Sequence, residues 1–552
     1  MVNCMKKIVE ELKWILSQRL YVIALSITAA CGYGFEIVTP IIGIDDTAVK
    51  LYIGDGLEVV MGRWTVYLLN KLFHMAEYAP FMMELIGVIL LCIGATLFVV
   101  LLRRIFGERI GVVAATIFAC VYVSNPIISE LYIYYYHNGV DFGYILLALS
   151  LWLFMDGMEA VGKKKLLPFV GSMLLAWIAA GCYESLLILY ILGIIMVIFL
   201  RGVAEVDKLT LVHVGKNLAI GAILSVGIIL LRTLIIEVLT VIFGLQDVLG
   251  EMAQRNLLEI FDVLLREDGP DYIKMLVKRY WVVYFVNAIV YLPTAGYVLS
   301  VTVLGICSIV KSIKKKNFWL PVLWVGMLIT PFLLTLMEGQ VSYYRSCQFM
   351  PFFTATGVLL LYLAVTKYEK IPVIRYVATL FAVILIYNQA AGLNENFYVD
   401  YLKYEDTKEV LLGIAQDVER EYGIQQPVVF TGYYEIPQPI MERYCVGYGS
   451  WQYRYIVSIT DKIDPYLKEK YYTPYGYCYI GEAIYPFIQW GFDAFDGTNG
   501  EMIKFLKMHG HSFTTITDKA ILEKAREIGT TMPKWPQAGS ITQQDGYILV
   551  NI

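Results

Sequence analysis

Charge is scarce in this sequence. Asp, Glu, Lys and Arg make up 17% of its 552 residues, against roughly a quarter in an ordinary soluble domain. A disordered chain, which needs charge to stay solvated, is excluded. Hydrophobic residues at 58% exclude a soluble enzyme as well. There is no basic surplus either: the net charge is −4, so nothing favours nucleic acid as a partner. Nine Cys are too few for a disulfide framework, and Cys31, Cys92, Cys120 and Cys307 sit in apolar runs and read as small core residues. Cys445 and Cys478 both fall in the tail and could pair, but sequence gives no distance. No nucleotide fingerprint, Walker A loop or Gly-X-Ser-X-Gly elbow occurs. The five His (His74, His137, His213, His509 and His511) include no pair at zinc-helix spacing. No Asn-X-Ser/Thr sequon is present, which favours a bacterial membrane over a eukaryotic secretory one.

What the chain has instead is long apolar runs, with a mean hydropathy of +0.61. A helical span needs about 20 apolar residues. Eleven runs qualify: about 20–38, 81–102, 110–127, 140–156, 166–182, 184–200, 217–243, 281–310, 317–337, 349–366 and 373–390. No long internal repeat is evident. Residues 1–19 are charged and amphipathic and the apolar run after them lacks a small-residue cleavage site, so they read as a juxtamembrane helix rather than a signal peptide. The expected fold is an α-helical polytopic membrane protein with a small α/β domain at its C-terminus, divided at 1–390 and 391–552. Aromatics at 14%, with 42 Tyr, suit a large membrane–water interface.

Lys and Arg set the orientation. With the N-terminus inside, the short inner segments hold 20 of the 44 positive residues and the long outer loops hold nine. That asymmetry predicts a cytoplasmic N-terminus and, after an odd number of spans, an extracytoplasmic tail. The outer loops are then about 39–80 (loop one), 128–139 (loop two) and 245–280 (loop three). With the polar mass on one face, the chemistry is expected there. In the tail, Thr407–Tyr422, Asn499–His509 and Asp518–Ile528 read as helices. Pro427–Gly432 reads as a buried strand and Ser540–Ile552 as a hairpin turning at Asp545-Gly546. The dense Tyr433, Tyr434, Trp451, Tyr453, Tyr471, Tyr472 and Trp490 suit either a sugar-stacking surface or a small aromatic core.

Loop one carries Asp45-Asp46. Paired carboxylates demand water, a cation or a donor, and one of them can act as a general base toward a hydroxyl. The plainer reading is a helix N-cap. Arg63, in Gly62-Arg-Trp64, lies five residues after Glu58, which is not a helix-neighbour spacing. It is free to aim elsewhere, for example at Asp45 or Asp46, or to snorkel to headgroups. His137 in loop two suits a cavity wall or an interfacial position. Glu184, in Tyr183-Glu-Ser185 between two apolar runs, is a carboxylate near membrane depth and so faces a polar cavity. In loop three, apolar residues from Leu249 to Leu265 at helical spacing predict a helix lying on the membrane. Lys278 and Arg279 then stand at headgroup level, suited to a lipid phosphate or to simple anchoring. Arg345 is the only cation of the last outer loop and can clamp a phosphate or pair with Glu338.

Taken in order, these stretches resemble GT-C-type glycosyltransferases. More narrowly, they resemble the bacterial serotype-converting glucosyltransferases (Gtr, type II). The resemblance rests on Asp45-Asp46 followed by Gly62-Arg63-Trp64; on Tyr183-Glu-Ser185; and on Tyr344-Arg345 leading to Pro351. In the tail it rests on Pro427–Gly432, Gly449-Ser-Trp451 and Met532–Ser540. It covers nearly the whole chain, and its specificity lies in the order of short motifs. Glu184 stands where the family's Tyr-Gln-Ser-like segments carry an amide, which leaves its role open.

The resemblance implies a polyprenyl-phosphate sugar donor, a glycan acceptor outside the cell and transfer with inversion. It implies Asp45 or Asp46 as base. It gives Arg345 with Lys278 or Arg279 to the donor phosphate, and Arg63 to positioning an Asp or the donor. Tyr183, Glu184 and His137 would line the sugar cavity. No cofactor is called for, with a divalent cation at Asp45/Asp46 left open. Two rival readings stand beside this one: a transporter or flippase of lipid-linked sugars, and a membrane anchor presenting a glycan-binding tail. Sugar identity, linkage and oligomeric state are not encoded legibly.

Overall fold

In the computed structural model the described residues are all except 1, 40, 44–56, 74–78, 134–137, 208, 246–264, 266–267, 317, 339–343, 368–371, 442–445, 448–450, 464–471, 474–475 and 478–497. Packing divides the chain into two units. One takes in Met1–Pro40, Tyr52–Glu395 and Arg454–Lys470; the other takes in Ile41–Leu51, Asn396–Tyr453 and Tyr471–Ile552.

The helices run in the order α1 (Val2–Leu16), α2 (Arg19–Val38), α3 (Leu57–Val60), α4 (Trp64–Phe73), α5 (Pro80–Phe106), α6 (Val112–Val123), α7 (Ser129–Tyr132), α8 (Asn138–Glu159), α9 (Leu166–Ala180), α10 (Leu186–Val203), α11 (Leu211–Ile242), α12 (Gly269–Trp281), α13 (Leu292–Lys315), α14 (Trp319–Glu338), α15 (Met350–Thr366) and α16 (Pro372–Tyr422). Among the described residues, nine stretches are long and apolar enough to cross a membrane: α2, α5, α6 with its continuation to Tyr132, α8, α10, α11, α13, α14 and α16. Each of the eleven apolar runs of the sequence contains a helix among the described residues. The remaining two, α9 with 15 residues and α15 with 17, are shorter than a usual span.

Local chemistry sets the boundaries. Pro80 opens α5, where a missing N–H costs nothing, and the Thr210 side chain caps α11 by accepting from His213 N. The run read as one span over 281–310 is interrupted. A π-helical turn (Val282–Val286) and a 3₁₀ turn (Asn287–Ile289) come first, and α13 starts at Leu292 with Pro293 in its first turn. Pro293 cannot donate back to the preceding turn, and Asn287 Nδ2 donates to the Tyr344 hydroxyl at 2.7 Å. Apolar content alone does not register such a break. Ion pairs lock the helix ends beside the short Lys/Arg-rich loops. Arg201 on α10 reaches Glu159 of α8 and Asp207, each at 2.6 Å, and Arg104 on α5 reaches Asp156 and Glu159 of α8, each at 2.7 Å.

In the second unit β1 (Val428–Thr431) pairs in parallel with β3 (Tyr547–Asn551), which pairs antiparallel with β2 (Ile541–Gln544). Val429 and Leu549 on these strands pack against Leu522 and Ala525 of the helix Lys519–Gly529. Gly546, at φ +89°, makes the turn of the hairpin. Asp518 is an N-cap residue type and caps its helix, accepting from Ala520 N and Ile521 N. Asn499 does not: it adopts a left-handed conformation, makes no side-chain cap, and its Oδ1 accepts from Phe430 N at 3.2 Å. The expected helix Thr407–Tyr422 is the end of α16, a single 51-residue helix that begins with the eleventh apolar run. Of the tail aromatics, Tyr433 and Trp451 are exposed, while Tyr471 and Trp490 lie outside the described residues, as do Cys445 and Cys478.

Candidate functional site

Two of the motifs singled out in the sequence, about 120 residues apart, are joined by hydrogen bonds. Thr65 N donates to Gly181 O at 3.0 Å and Thr65 Oγ1 donates to Ile178 O at 2.8 Å, which fastens the start of α4 to the turn between α9 and α10. Trp64 backs this seam. Its ring lies 4.6 Å from that of Trp177, and a side chain at Gly181 would strike it. A large ring therefore needs the small residue opposite. The same ring joins Val59, Val60, Tyr67, Ile236 and Leu239 in one apolar cluster, which binds α3, α4 and α11 together.

The charged side chains converge here. The Arg63 guanidinium lies 4.8 Å from the Tyr183 ring centroid, and its Nε is 3.7 Å from Glu184 Oε2. Cation–π attraction and the ion pair together hold a largely buried arginine. Arg63 thus reaches Glu184 and Tyr183. Asp45 and Asp46, its other candidate partners, lie outside the described residues. Arg345 lies close enough to Tyr183 to act on it electrostatically, and the neighbouring Ser346 side chain acts on the same hydroxyl. Four of the expected site residues, Arg63, Tyr183, Glu184 and Arg345, therefore share one neighbourhood. Lys278 and Arg279 occupy the last turn of α12, where Lys278 is exposed. His137 lies outside the described residues, and so does the side chain of Glu338.

Sequence reasoning passed over Arg232. It projects from α11, and its Nη2 donates to Met61 O at 3.2 Å. Gly62, at φ +84°, makes room: a Cβ there would lie 1.8 Å from that same nitrogen. The signal was present, since a charge in an apolar span generally faces a polar cavity.

Other carboxylates also went unread as a group. Glu36, Glu84, Glu130 and Asp141 are all buried near helix ends. Tyr132 donates to Asp141 at 2.9 Å and Tyr291 to Glu130 at 3.4 Å. The rings of Tyr291 and Tyr344 lie 4.5 Å apart, so Glu130 stands near the turn that carries Arg345. Among the described residues no three of His, Cys, Asp and Glu are grouped to hold a metal ion.

Glu58, on α3, is buried, and its carbonyl accepts from Arg63 N at 2.7 Å. Its Oε1 accepts from Asn70 Nδ2 at 3.3 Å, and its Oε2 has no partner among the described residues. Burial pushes its carboxyl up to about 7, against the opposing pull of Asn70 and Arg63. The folded state keeps this proton up to about pH 7, whereas an unfolded carboxyl releases it near 4.5. The folded state therefore binds more protons across that window, and its stability is greatest below the lower value and falls as pH rises to 7. The loss amounts to roughly 3 kcal/mol at most. Thermal unfolding in detergent from pH 4.5 to 8 should show the melting temperature falling for the wild type. The slope should be flattened in Glu58→Gln, and an unchanged slope would remove Glu58 as its source.

The comparisons with known proteins agree with this architecture. The family model described as glucosyl transferase GtrII matches residues 34–362, more than half of the chain. None of the curated proteins compared matches it, and neither does any solved structure. The matched stretch contains α3, α4, the α9–α10 turn, Arg232 and Arg345, that is, every part of the joined site described above. The chain belongs to the GtrII glucosyltransferase family, as a membrane glycosyltransferase.

Proposed function

We propose that this glycosyltransferase moves a hexose, such as glucose, from a polyprenyl-phosphate donor to a cell-surface glycan or glycolipid. In this reading it works at the outer face of a bacterial plasma membrane, with the N-terminus cytoplasmic and residues 391–552 outside. The observation that carries the reading is the Arg63–Tyr183–Glu184 constellation, with Arg345 beside it. It is a cationic, aromatic-lined polar site inside a polytopic helical protein.

The chemistry needs few parts. A phosphate on a lipid is a good leaving group without protonation. The acceptor hydroxyl oxygen attacks the anomeric carbon, and its proton passes to Asp45 or Asp46. The bond from the anomeric carbon to the phosphate oxygen breaks, and the electron pair leaves with the phosphate. Arg345, with Lys278 or Arg279, stabilises the charge that grows there. Arg63 orients the donor, and Tyr183, Glu184 and His137 line the sugar cavity. One displacement inverts the anomeric centre, and a retained configuration would require a second, nucleophilic carboxylate. A divalent cation at the Asp pair is compatible with these steps and is not required by them.

The test is transfer by the purified full chain from a panel of polyprenyl-phosphate sugars to a surface glycan extract, with product anomers assigned by NMR. The expected result is one preferred hexose, joined with inverted configuration. Movement of lipid-linked sugar across vesicles without bond formation would replace this reading with that of a transporter.

A further inference from the structure

We infer that Arg232 is a ligand of a lipid-borne phosphate and that the charged site opens to the bilayer along α11. This rests on the donor chemistry proposed above. It adds to that proposal a residue and a direction of entry.

The first support is a set of buried hydrogen-bond donors that find no acceptor, although Glu184 Oε2 and Glu58 Oε2 are themselves without a hydrogen-bond partner among the described residues. Arg232 Nε, Trp64 Nε1, Trp177 Nε1 and Ser185 Oγ are buried atoms with no partner among the described residues. Arg232 carries five N–H donors, and Met61 O accepts one of its bonds. Its electrostatic partner of opposite sign is Glu184, the carboxylate that also pairs with Arg63. A buried donor left without an acceptor costs about 1–3 kcal/mol. Such a set persists where a ligand supplies the acceptors. A phosphate does so, being acceptor-rich, and guanidinium forks match its geometry. These groups also lie together. Ile236, one helical turn beyond Arg232 and on the same face of α11, packs in the cluster that contains Trp64 and Trp177.

Depth is the second support. Beyond Lys216, the charged residues of α11 are Arg232 and Glu237, so its unbroken apolar stretch ends at Leu231. The helix has 32 residues, about 48 Å at 1.5 Å per residue, against about 30 Å of hydrocarbon. Arg232 lies 16 residues past Lys216, about 24 Å along the helix, and its long side chain spans most of the remaining distance to the headgroup level, within reach of a lipid phosphate. The third support is access. Ile223, Val226, Leu230, Leu234, Val238 and Val241 on the same helix are exposed and apolar, the surface a lipid chain lies along. Arg232 is thus the cation nearest to a donor arriving sideways from the membrane.

Direct binding of farnesyl phosphate to the full chain in detergent tests this, with farnesol and inorganic phosphate as comparison ligands. Farnesyl phosphate should bind the wild type at least tenfold more tightly than either. Arg232→Gln should weaken it tenfold or more, and Arg232→Lys, a point charge without the fork, should fall between. Glu184→Gln removes the competing carboxylate and should hold or tighten binding, whereas a Glu184 that merely held the two arginines in place would weaken it when lost. Wild-type affinity in a folded Arg232→Gln, or loss of binding in a folded Glu184→Gln, would overturn the inference. Equal affinity for inorganic phosphate would overturn its lipid-borne part. If the Arg232 dependence holds while no donor yields transfer, the glycosyl-transfer reading fails and this site stands. If transfer is robust while Arg232→Gln binds normally, the reverse applies.

Discussion

Gly62→Ala should cut sugar transfer by 10- to 100-fold while lowering the melting temperature only slightly. Two effects act at this position. An alanine at φ +84° meets the left-handed penalty of about 1–2 kcal/mol. Its Cβ would also lie 1.8 Å from Arg232 Nη2 and 2.4 Å from Cζ. The obstructed group is the tip of a long side chain and not backbone, so the chain yields by swinging the guanidinium away rather than by unfolding. Arg232 then leaves Met61 O and, on the reading above, the phosphate. Hydrogen bonds to a charged group are worth about 1.5–3 kcal/mol, which sets the 10- to 100-fold range. The double variant Gly62→Ala/Arg232→Ala separates the two effects. It relieves the collision, so stability should recover in part, while transfer stays low. If the double variant regained transfer, the collision alone would be responsible and Arg232 would have no part in turnover.

This site shows what a single sequence does and does not disclose. Gly62-Arg63-Trp64 and Tyr183-Glu-Ser185 are conspicuous because charge is rare in their surroundings. Their meeting is not legible, because it depends on Thr65 bonding to backbone about 115 residues away. Arg232 was visible as a span charge, but its importance depends on where α11 ends relative to the membrane and on the absence of a side chain at Gly62. The eleven apolar runs were legible because period and length carry them. The π and 3₁₀ turns at Val282–Ile289 were hidden, since apolar residues continue through the break and a hydrogen bond from Asn287 to distant Tyr344 helps to set it. The continuity of α16 was hidden for the opposite reason. Hydropathy falls near Asn394, yet the backbone stays helical to Tyr422. Polarity marks where the surroundings change, and conformation need not change with it.

The largest loss is expected at the first-loop carboxylates. Asp45→Asn or Asp46→Asn should lower transfer by about 10²–10⁴-fold, the usual worth of a general base, while farnesyl phosphate still binds. The substitution keeps size and hydrogen-bonding capacity and removes only the ability to take a proton, so intact binding with failed turnover isolates that role. The two residues are expected to differ. Adjacent carboxylates discourage each other's ionisation, so the partner of the base acts by raising its proton affinity, and its loss should shift the acid limb of the pH–rate profile downward with a smaller fall in the plateau. The buried carboxylates supply the contrary outcome. Glu130 and Asp141 already accept from Tyr291 and Tyr132, which ties each of them to a tyrosine rather than to an acceptor hydroxyl. Glu184 is tied to Arg63. If both Asp variants turned over at the wild-type rate, one of these three would have to be the base. Glu184→Gln would then be the decisive substitution, because Glu184 pairs with Arg63 and acts electrostatically on Arg232.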